Sequence, residues 1–291
     1  MKVHLLDGTY ELFRHHFGRP PGARPENETD DVAGTRGVLW TTLTLLEEGV
    51  THLAVATDHV IESFRNGLWP GYKSSAGVAE AILDQFGLVE DALTALGVKV
   101  WAMVELEADD ALAAGAAAAA ADPEVEQVVV MTPDKDLAQT VSGTRVVQLD
   151  RRTGTVTDEA GVVAKYGVAP ESIPDWLALV GDSSDGFPGV PGWGKKAASA
   201  VLARYRHLED IPEHPWRWEV DVRGRNALAA ALAEHRELAM LFRILATLRA
   251  DAEVLRHVDE LRWTGPTDRF AEVATRLRAP RLAEKATSLA R

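Results

Sequence analysis

The sequence predicts an α/β fold in which a mostly parallel central sheet is flanked by helices and followed by a helical part. Short apolar runs alternate with longer segments of helical periodicity through the first half of the chain, which is typical of βαβ units. From about residue 170 onward, almost every segment has helical periodicity. We therefore predict an α/β domain at residues 1–170 and a helical domain at residues 171–291.

Five apolar runs are predicted strands, at residues 3–6, 52–56, 98–104, 128–131 and 145–149. Three segments between them are predicted helices, at residues 31–48, 79–96 and 108–121. The third of these is rich in alanine, the best helix former. Residues 226–248 are predicted to form one long amphipathic helix. Proline and glycine predict loops at residues 19–30 and 67–77.

The composition excludes several classes of protein. The chain has 291 residues and no Cys, which excludes disulfides, thiolate metal sites and a Cys nucleophile. No apolar stretch approaches the roughly 20 residues that span a bilayer, and the first apolar run is too short for a signal peptide, so we expect a cytoplasmic protein without membrane contact. A net charge of −13, from 31 Lys and Arg against 44 Asp and Glu, argues against a non-specific coat on nucleic acid.

Acidic residues follow each of the first four predicted strands. Because the carboxyl ends of parallel strands lie at one edge of a sheet, we expect these acids to converge on one crevice. A further acidic pair stands in the helical half. The full set is Asp7, Asp58, Glu107, Asp109, Asp110, Asp134, Asp136, Asp182 and Asp185.

Divalent cations would explain this set of acids, since so many carboxylates cannot stay ionised together in a cleft without compensation. Oxygen ligands suit Mg²⁺ or Mn²⁺, and a pair of such ions hydrolyses phosphodiesters. Arg65 and Lys73, in the region after Asp58, could hold or polarise the scissile phosphate; a solvated surface pair is the alternative. Any single acid could instead cap a helix or form a turn, and it is the repetition at every strand end that favours a metal site.

Residues 189–196, with the sequence GVPGWGKK, predict a helix–hairpin–helix at about residues 184–207. Glycines let the backbone approach a phosphate, and lysines at the helix start add charge. The residues predicted to bind DNA are Gly189, Gly192, Gly194, Lys195 and Lys196. The segment also nearly matches a nucleotide P-loop, but Lys196 stands where a hydroxyl is needed and no strand precedes it. An ordinary turn with two surface lysines is the other alternative.

Histidine and tryptophan carry weaker signals. His15 and His16 are adjacent, without metal-ligand spacing, and are interpreted as a surface or substrate-side feature. Trp216 and Trp218 flank a predicted helix start and are interpreted as packing residues rather than base-stacking ones.

These motifs, in this order, resemble the flap endonuclease family, which includes the 5′-nuclease domain of bacterial DNA polymerase I and stand-alone bacterial 5′-3′ exonucleases. The matching segments are LDG at 6–8, TD at 57–58, FR at 64–65, YK at 72–73, EADD at 107–110, DKD at 134–136, GDSSD at 181–185, PGVPG at 188–192, HR at 235–236 and LAT at 245–247. They cover about residues 2–250. No polymerase region follows in this sequence, so we expect a stand-alone member.

The resemblance implies a role for each motif. The nine acids would form a two-metal cluster, and Arg65 and Lys73 would contact the scissile phosphate at the base of a helical arch at about residues 71–96. The helix–hairpin–helix would hold duplex backbone, often with a K⁺ ion. The implied reaction is Mg²⁺- or Mn²⁺-dependent hydrolysis of DNA at 5′ flaps, nicks or junctions in replication and repair, by a monomer. Whether RNA-primed 5′ ends are cut stays open, as does the balance of exonuclease and endonuclease activity.

The chain departs from the family pattern in three places. Ala76 stands where the family usually has Arg, three residues after the Lys of the YK pair; Pro133 replaces a Gly, and Gly186-Phe187 replaces Asn-Ile.

Three other functions stay open: a DNA-binding repair accessory that cleaves poorly, a PIN-like ribonuclease and a P-loop NTPase. Ala76 is the only hint of the first, and the second would not explain the acids at 182 and 185 or the hairpin. Because all nine acids are present, we expect an active enzyme.

Overall fold

The computed structural model describes residues 1–18 and 32–290, so the loop predicted at 19–30 lies outside the described residues. The chain divides into two compact units. Unit 1 comprises Met1–Ile61, Ser75–Thr132 and Ala250–Arg291, and unit 2 comprises Glu62–Ser74 and Pro133–Arg249. The last segment is thus grouped with the N-terminal strands, which no local pattern in the sequence indicates. The domains at 1–170 and 171–291 stay a prediction.

The strands and helices occur in the following order along the chain. The strands are β1 (Lys2–Asp7), β2 (His52–Asp58), β3 (Lys99–Met103), β4 (Gln127–Met131), β5 (Val146–Asp150) and β6 (Thr155–Thr157). The α-helices are α1 (Gly8–Phe17), α2 (Ala33–Glu47), α3 (Glu80–Leu83), α4 (Gln85–Ala95), α5 (Ala108–Ala121), α6 (Glu159–Tyr166), α7 (Ile173–Val180), α8 (Lys195–Tyr205), α9 (Arg225–Glu234), α10 (Arg236–Ala246), α11 (Phe270–Arg276) and α12 (Pro280–Leu289).

Unit 1 contains a parallel sheet with the strand order β3–β2–β1–β4. In the central strand β1, Leu5 pairs with Ala54 on one side and with Val130 on the other. These strands are almost continuously apolar because helices cover parallel sheets on both faces. The prediction of a mostly parallel sheet flanked by helices is confirmed. All four strands end at the same edge, so the acids that follow β1, β2 and β3 share that edge.

Unit 2 is mainly helical, and its β5 and β6 form an antiparallel pair. Its core contains Phe187 and Phe242, whose rings are stacked with centroids 5.4 Å apart. Trp193 donates its indole N–H to the carbonyl of Leu228 over 3.1 Å. Trp218 is also buried in this core, as its packing interpretation requires, whereas Trp216 is 72% exposed and stacks on a histidine. The packing interpretation is therefore wrong for Trp216.

Two predicted helices are each divided into two. The segment predicted at 79–96 forms α3 and α4, which meet at Asp84, and the segment predicted at 226–248 forms α9 and α10. His235 separates α9 from α10, with φ −108° and ψ 22°.

The helix α1 gives a further correction, because its His16 is buried beside the ring of Phe17 and is not a surface residue. Among the described helices, none is both long and apolar enough to cross a membrane.

Candidate functional site

Asp7 is held at the carboxyl end of β1 by a hydrogen bond to each of its carboxylate oxygens. Oδ1 accepts from the backbone N–H of Tyr10 over 2.8 Å, which caps α1, and Oδ2 accepts from the hydroxyl of Thr132 over 2.9 Å. The next residue is Gly8, where a Cβ would lie 2.6 Å from the side chain of Val55. Glycine lets α1 start against β2 and so fixes the direction of the Asp7 carboxylate.

The other acids of unit 1 meet at the N-terminus of α5. Asp58, at the end of β2, accepts a hydrogen bond from the N–H of Ala108 over 2.8 Å. Glu107 and Asp110 form a reciprocal capping box, with the Glu107 N–H donating to Asp110 over 3.0 Å. Asp109 lies in the same first turn. The capping alternative is therefore correct in part, and the helix dipole favours negative charge here.

Burial distinguishes these acids from ordinary caps. Glu107 is 4% exposed and Asp110 is 0% exposed, and Asp7 is also buried. Carboxylates are rarely buried this completely unless they are paired or bind a metal. We name Asp7, Asp58, Glu107, Asp109 and Asp110 the first acidic group.

Unit 2 contains the second acidic group, which we define as Asp134, Asp136, Asp182 and Asp185. Asp136, Asp182 and Asp185 each place one carboxylate oxygen within 4.8 Å of the others. Asp134 accepts from the N–H of Asp136 over 2.9 Å. Three carboxylates at this separation have the spacing of ligands around one ion.

A tight backbone loop brings two of these acids together. The N–H of Asp182 donates to the carbonyl of Phe187 over 2.8 Å, and the N–H of Phe187 donates back over 3.0 Å. Gly186 closes the loop with φ +81°, and a Cβ there would meet the carbonyl oxygen of Gly71 at 1.9 Å. Glycine at 186 is therefore required by this geometry.

The second acidic group concentrates carboxylates around a buried acid, Asp136. Burial raises the pKa of Asp136 well above its ordinary value, and the charges of Asp134, Asp185 and Asp182 raise it further. Within the described residues, Oδ1 of Asp136 is buried and has no hydrogen-bond partner. A buried acceptor without a donor, among other carboxylates, fits a divalent cation with oxygen ligands.

Two lysines lie against this group. Lys135 Nζ is 2.6 Å from Asp182, and Lys73 Nζ is 3.4 Å from Asp185. Burial alone would lower the pKa of Lys135, but the hydrogen bond to Asp182 and the charges of Asp136, Asp182 and Asp134 outweigh it and raise that pKa. Lys135 is thus part of the site.

Arg65 lies in a 3₁₀ turn, Phe64–Gly67, and is 1% exposed. Its Nε donates to the carbonyl of Leu245 over 2.8 Å, and its Nη2 donates to the carbonyl of Thr247 over 3.0 Å. These carbonyls end α10, so the guanidinium joins the 3₁₀ turn to the C-terminus of that helix. The predicted role of Arg65 at a phosphate stays a prediction.

The glycine-rich segment connects α7 to α8 within unit 2. Gly189 has φ +74°, and a Cβ there would lie 2.4 Å from the backbone N of Gly181. At Gly192 and Gly194, in contrast, a Cβ would meet nothing within 4 Å among the described atoms. The lysines 195 and 196 begin α8 and are exposed. A helix precedes the segment, so it lacks the strand that a P-loop follows.

Sequence reasoning missed three contributors to the site. They are Thr132, Lys135 and the carbonyls that receive Arg65. Thr132 directly follows β4, and a hydroxyl at the end of a strand beside an acidic strand end was a usable signal. The partners of Arg65 lie about 180 positions away along the chain, and no local pattern indicates them.

The chain belongs to the 5′-3′ exonuclease family: residues 2–167 match the N-terminal resolvase-like domain of that family, and residues 168–269 match its C-terminal SAM fold. Members of this family are hydrolases. The predicted resemblance and the predicted enzyme class are confirmed.

Among curated proteins, the chain is similar to part of bacterial DNA polymerase I. It is 34% identical over 281 residues to the enzyme of Pseudomonas aeruginosa, a match that covers 93% of this chain and 29% of that protein. It is 36% identical over 253 residues to the enzyme of Mycobacterium tuberculosis, covering 82% of this chain and 27% of that protein. The chain therefore spans less than a third of the length of these relatives.

Solved structures share the fold at low identity. A bacteriophage T5 flap endonuclease in a complex with DNA and metal ions has a TM-score of 0.67 at 17% identity, covering 99% of this chain and 98% of that one. The catalytic core of Rad2 in complex with a DNA substrate has a TM-score of 0.64 at 14% identity, covering 99% and 92%. These likenesses support the fold.

Proposed function

We propose that this chain is a structure-specific 5′ nuclease that hydrolyses DNA phosphodiesters near a junction of single strand and duplex, in replication and repair. The observation that carries the proposal is the second acidic group, with three carboxylates within 4.8 Å and a buried oxygen on Asp136 that lacks a donor. Such an arrangement destabilises the protein unless a cation binds, which is expected of a site retained for chemistry.

Each acidic group would hold one divalent cation. The donors are carboxylate oxygens without sulfur or imidazole, which suits Mg²⁺ or Mn²⁺ better than Zn²⁺. When bound, such ions lower the pKa of water and neutralise charge on the leaving oxygen. The chain's own contribution is to fix the carboxylates: Asp7 by its two hydrogen bonds, and Asp182 by Lys135 and the loop closed at Gly186.

Lys73 is the cation best suited to contact a phosphate. Its ammonium is 3.4 Å from Asp185 and 5.7 Å from the centroid of the Tyr72 ring, and its side chain is partly exposed. A phosphate oxygen could replace one of its contacts without unfolding the site. For Arg65 we propose a structural role, in which its bonds to the carbonyls of Leu245 and Thr247 hold its 3₁₀ turn against the C-terminus of α10.

A helical arch would be formed by fewer residues than the resemblance implies. The helix α4 buries one face, including Phe86 and Leu93, so it is part of the folded layer of unit 1. Tyr72 and Ile82 are buried as well, so residues 74–81 are then left for an arch. Ala76 lies among them, so the grip on a single strand would lack the arginine that the family usually places there.

The connection between α7 and α8 would bind the phosphate backbone of duplex DNA as a helix–hairpin–helix. Open space in front of Gly192 and Gly194 lets a phosphate reach the backbone, and the start of α8 supplies N–H groups and two exposed lysines. A K⁺ ion at this turn belongs to the same proposal. These contacts read no base, so binding would be independent of sequence and sensitive to salt.

Cleavage of a labelled 5′-flap duplex tests the proposal, beside blunt duplex, single-stranded DNA and single-stranded RNA, in Mg²⁺, Mn²⁺ or EDTA. The variants Asp110→Asn and Asp182→Asn each remove one charge from one acidic group. Asp122→Asn is the matched control, because Asp122 lies at the opposite end of α5 from Asp110, where it caps the helix C-terminus and accepts from the N–H of Glu124 over 2.9 Å. We expect metal-dependent product at the junction, unchanged in the control and reduced at least about 100-fold in both test variants.

Two outcomes would contradict the proposal. Tight binding of the flap with no product in either metal would make the chain a DNA-binding accessory, the function that Ala76 hints at. Preferred cleavage of single-stranded RNA would make it a PIN-like ribonuclease instead.

A further inference from the structure

A groove in unit 1, between α2 and α12, lies outside both acidic groups. It has a volume of about 450 Å³ and is lined by Arg36, Gly37 and Trp40 from α2 and by residues 278–282 before and within α12. The volume is within the range of sites that bind small molecules, and it is sufficient for one nucleotide. We name it the α2–α12 groove.

The lining combines an exposed aromatic ring with positive charge. Trp40 is 53% exposed, which is unusual for a tryptophan. Lys285 lies 4.5 Å from the centroid of its indole ring and is oriented by a 2.7 Å contact with Glu47. Arg281 is exposed in the first turn of α12, and Arg278 lies just before the helix.

Arginines are concentrated in this groove although the chain as a whole is acidic. The protein carries −13, yet Arg36, Arg278 and Arg281 line one groove, with Lys285 over its tryptophan. A groove that is lined by arginines and also presents an aromatic face is the arrangement that binds single-stranded nucleic acid, because phosphates pair with the cations and a base stacks on the ring.

The position of the groove relates it to the predicted arch. The N–H of Thr35 donates to Oε1 of Gln85 over 3.0 Å, so the first turn of α2 contacts the first residue of α4. Arg36 follows Thr35 directly, and Trp40 lies about one turn further along the helix. The groove therefore begins one residue from the contact between α2 and the start of α4, and the proposed arch precedes α4 in the chain.

We propose that the α2–α12 groove binds the single-stranded 5′ part of the substrate. One base would stack on Trp40, and the flanking phosphates would pair with Arg281 and the other arginines that line the groove. This inference rests on the proposed nuclease function, since that function supplies the single strand. It assigns a binding site to residues that lie outside every motif of the family resemblance.

Equilibrium binding of a fluorescein-labelled oligothymidylate in EDTA tests the groove without cleavage, and an abasic oligonucleotide of equal length isolates stacking. We expect Trp40→Ala to weaken oligothymidylate binding about 5-fold or more and to leave abasic binding unchanged. We expect Arg281→Ala to weaken binding of both oligonucleotides and to reduce the salt slope by about one. Trp216→Ala and Arg256→Ala, exposed residues outside the groove, are the matched controls and should bind as the wild type does.

Equal affinity of Trp40→Ala and wild type for oligothymidylate would overturn the proposal, provided that thermal melting shows both folded. An equal loss for thymidylate and abasic strands in Trp40→Ala would also overturn it, because the ring would then act only through the position of Lys285. Because no step here needs cleavage, a wild type that binds through the groove but cuts nothing would refute the proposed function and not the groove.

Discussion

The burial of Asp136 destabilises the folded protein, and the same carboxylate belongs to the proposed metal site. Its carboxyl is 5% exposed, its pKa is raised by burial and by three neighbouring acids, and its Oδ1 has no donor within the described residues. Each of these features opposes folding in the absence of a cation. Natural proteins retain such residues where activity requires them, and replacing them commonly increases stability.

Asp136→Asn should therefore stabilise the metal-free protein and remove much of its response to metal. In EDTA we expect the free energy of unfolding to rise by about 1–2 kcal/mol, because one of several buried like charges is lost. Mn²⁺ should raise the Tm of the wild type and raise that of the variant much less, since ligand binding stabilises only a protein that holds the ligand. Thermal melts with and without Mn²⁺ measure both effects, with Asp122→Asn as the control. An equal Mn²⁺ shift in variant and wild type would place the ion elsewhere.

Arg65→Lys distinguishes a structural arginine from one that contacts phosphate. A lysine cannot reproduce the two directed donors that reach the carbonyls of Leu245 and Thr247, so at least one buried carbonyl loses its partner. We expect urea unfolding to show a loss of about 2–3 kcal/mol, with little change in cleavage rate per folded molecule. Arg217→Lys, at an exposed position, should unfold as the wild type does. A large loss of cleavage without loss of stability would instead support the phosphate contact predicted from the sequence.

These residues show what the sequence could predict about the site. Acids at strand ends were predictable because strand direction and the β–α pattern are local properties, and parallel strands end at one edge. Asp136, which follows β4, lies close to Asp182 and Asp185, which come from the helical part and not from a strand end. The burial of Arg65 was not predictable, because its partners are the final carbonyls of a helix distant in sequence. Local composition at an FR pair does not distinguish a buried guanidinium from an exposed one.

At the scale of elements, α5 shows how packing overrides helix propensity. Gly115 lies in the middle of this alanine-rich helix, where alanine would ordinarily be better by about 1 kcal/mol. A Cβ at this position, however, would lie 2.3 Å from the ring of Trp101 in β3. Glycine is therefore present because the indole of a neighbouring strand packs directly on the helix backbone.

Gly115→Ala should destabilise the protein although it improves helix propensity. We expect a loss of about 1–3 kcal/mol, because overpacking a dense core forces side chains or backbone to move. Gly87→Ala in α4 is the matched control: a Cβ there meets nothing within 4 Å among the described atoms, and the change should stabilise by up to about 1 kcal/mol. Urea unfolding of the two variants measures the contrast. Stabilisation in both would mean that the ring of Trp101 moves away at little cost.

Element boundaries were less predictable than element types. The helix α5 was predicted with the same bounds that it has, because its composition is uniform. The segment at 226–248 has apolar periodicity that continues through His235, yet the backbone there leaves the helical region and α10 starts anew. Periodicity reports which side chains face a core, and it does not report where two helices meet.

At the scale of the whole molecule, two histidines make stability depend on pH with opposite signs. In unit 1, the pKa of His4 is lowered to about 4 by burial first, and then by the charges of Lys2 and His52. In unit 2, the hydrogen bond from His207 to Asp175 raises the pKa of the histidine above 6.5, against the effect of burial, and the charges of Asp175, Glu209 and Asp210 add to it.

The two pKa shifts change the stability of the protein in different pH ranges. Between pH 6.5 and about 4, the unfolded chain binds a proton at His4 that the folded chain does not, so acid destabilises the protein through this residue. His207 binds its proton more tightly when folded, so its contribution is present below pH 6.5 and is lost as the pH rises through its raised folded value.

His4→Phe should therefore reduce the loss of stability in acid. At pH 7 and above the substitution should change the free energy of unfolding little through titration, whereas near pH 4 it should recover up to about 3 kcal/mol relative to the wild type. His207→Gln should act in the opposite range, destabilising the protein below pH 6.5 and losing that effect as the pH rises. Urea unfolding across pH 4 to 8 measures both curves, with His214→Phe, at an exposed position, as the control. Parallel curves for His4→Phe and wild type would mean that His4 has the same pKa in the folded and the unfolded chain. The burial of His4 in β1 would then not cause the loss of stability at low pH.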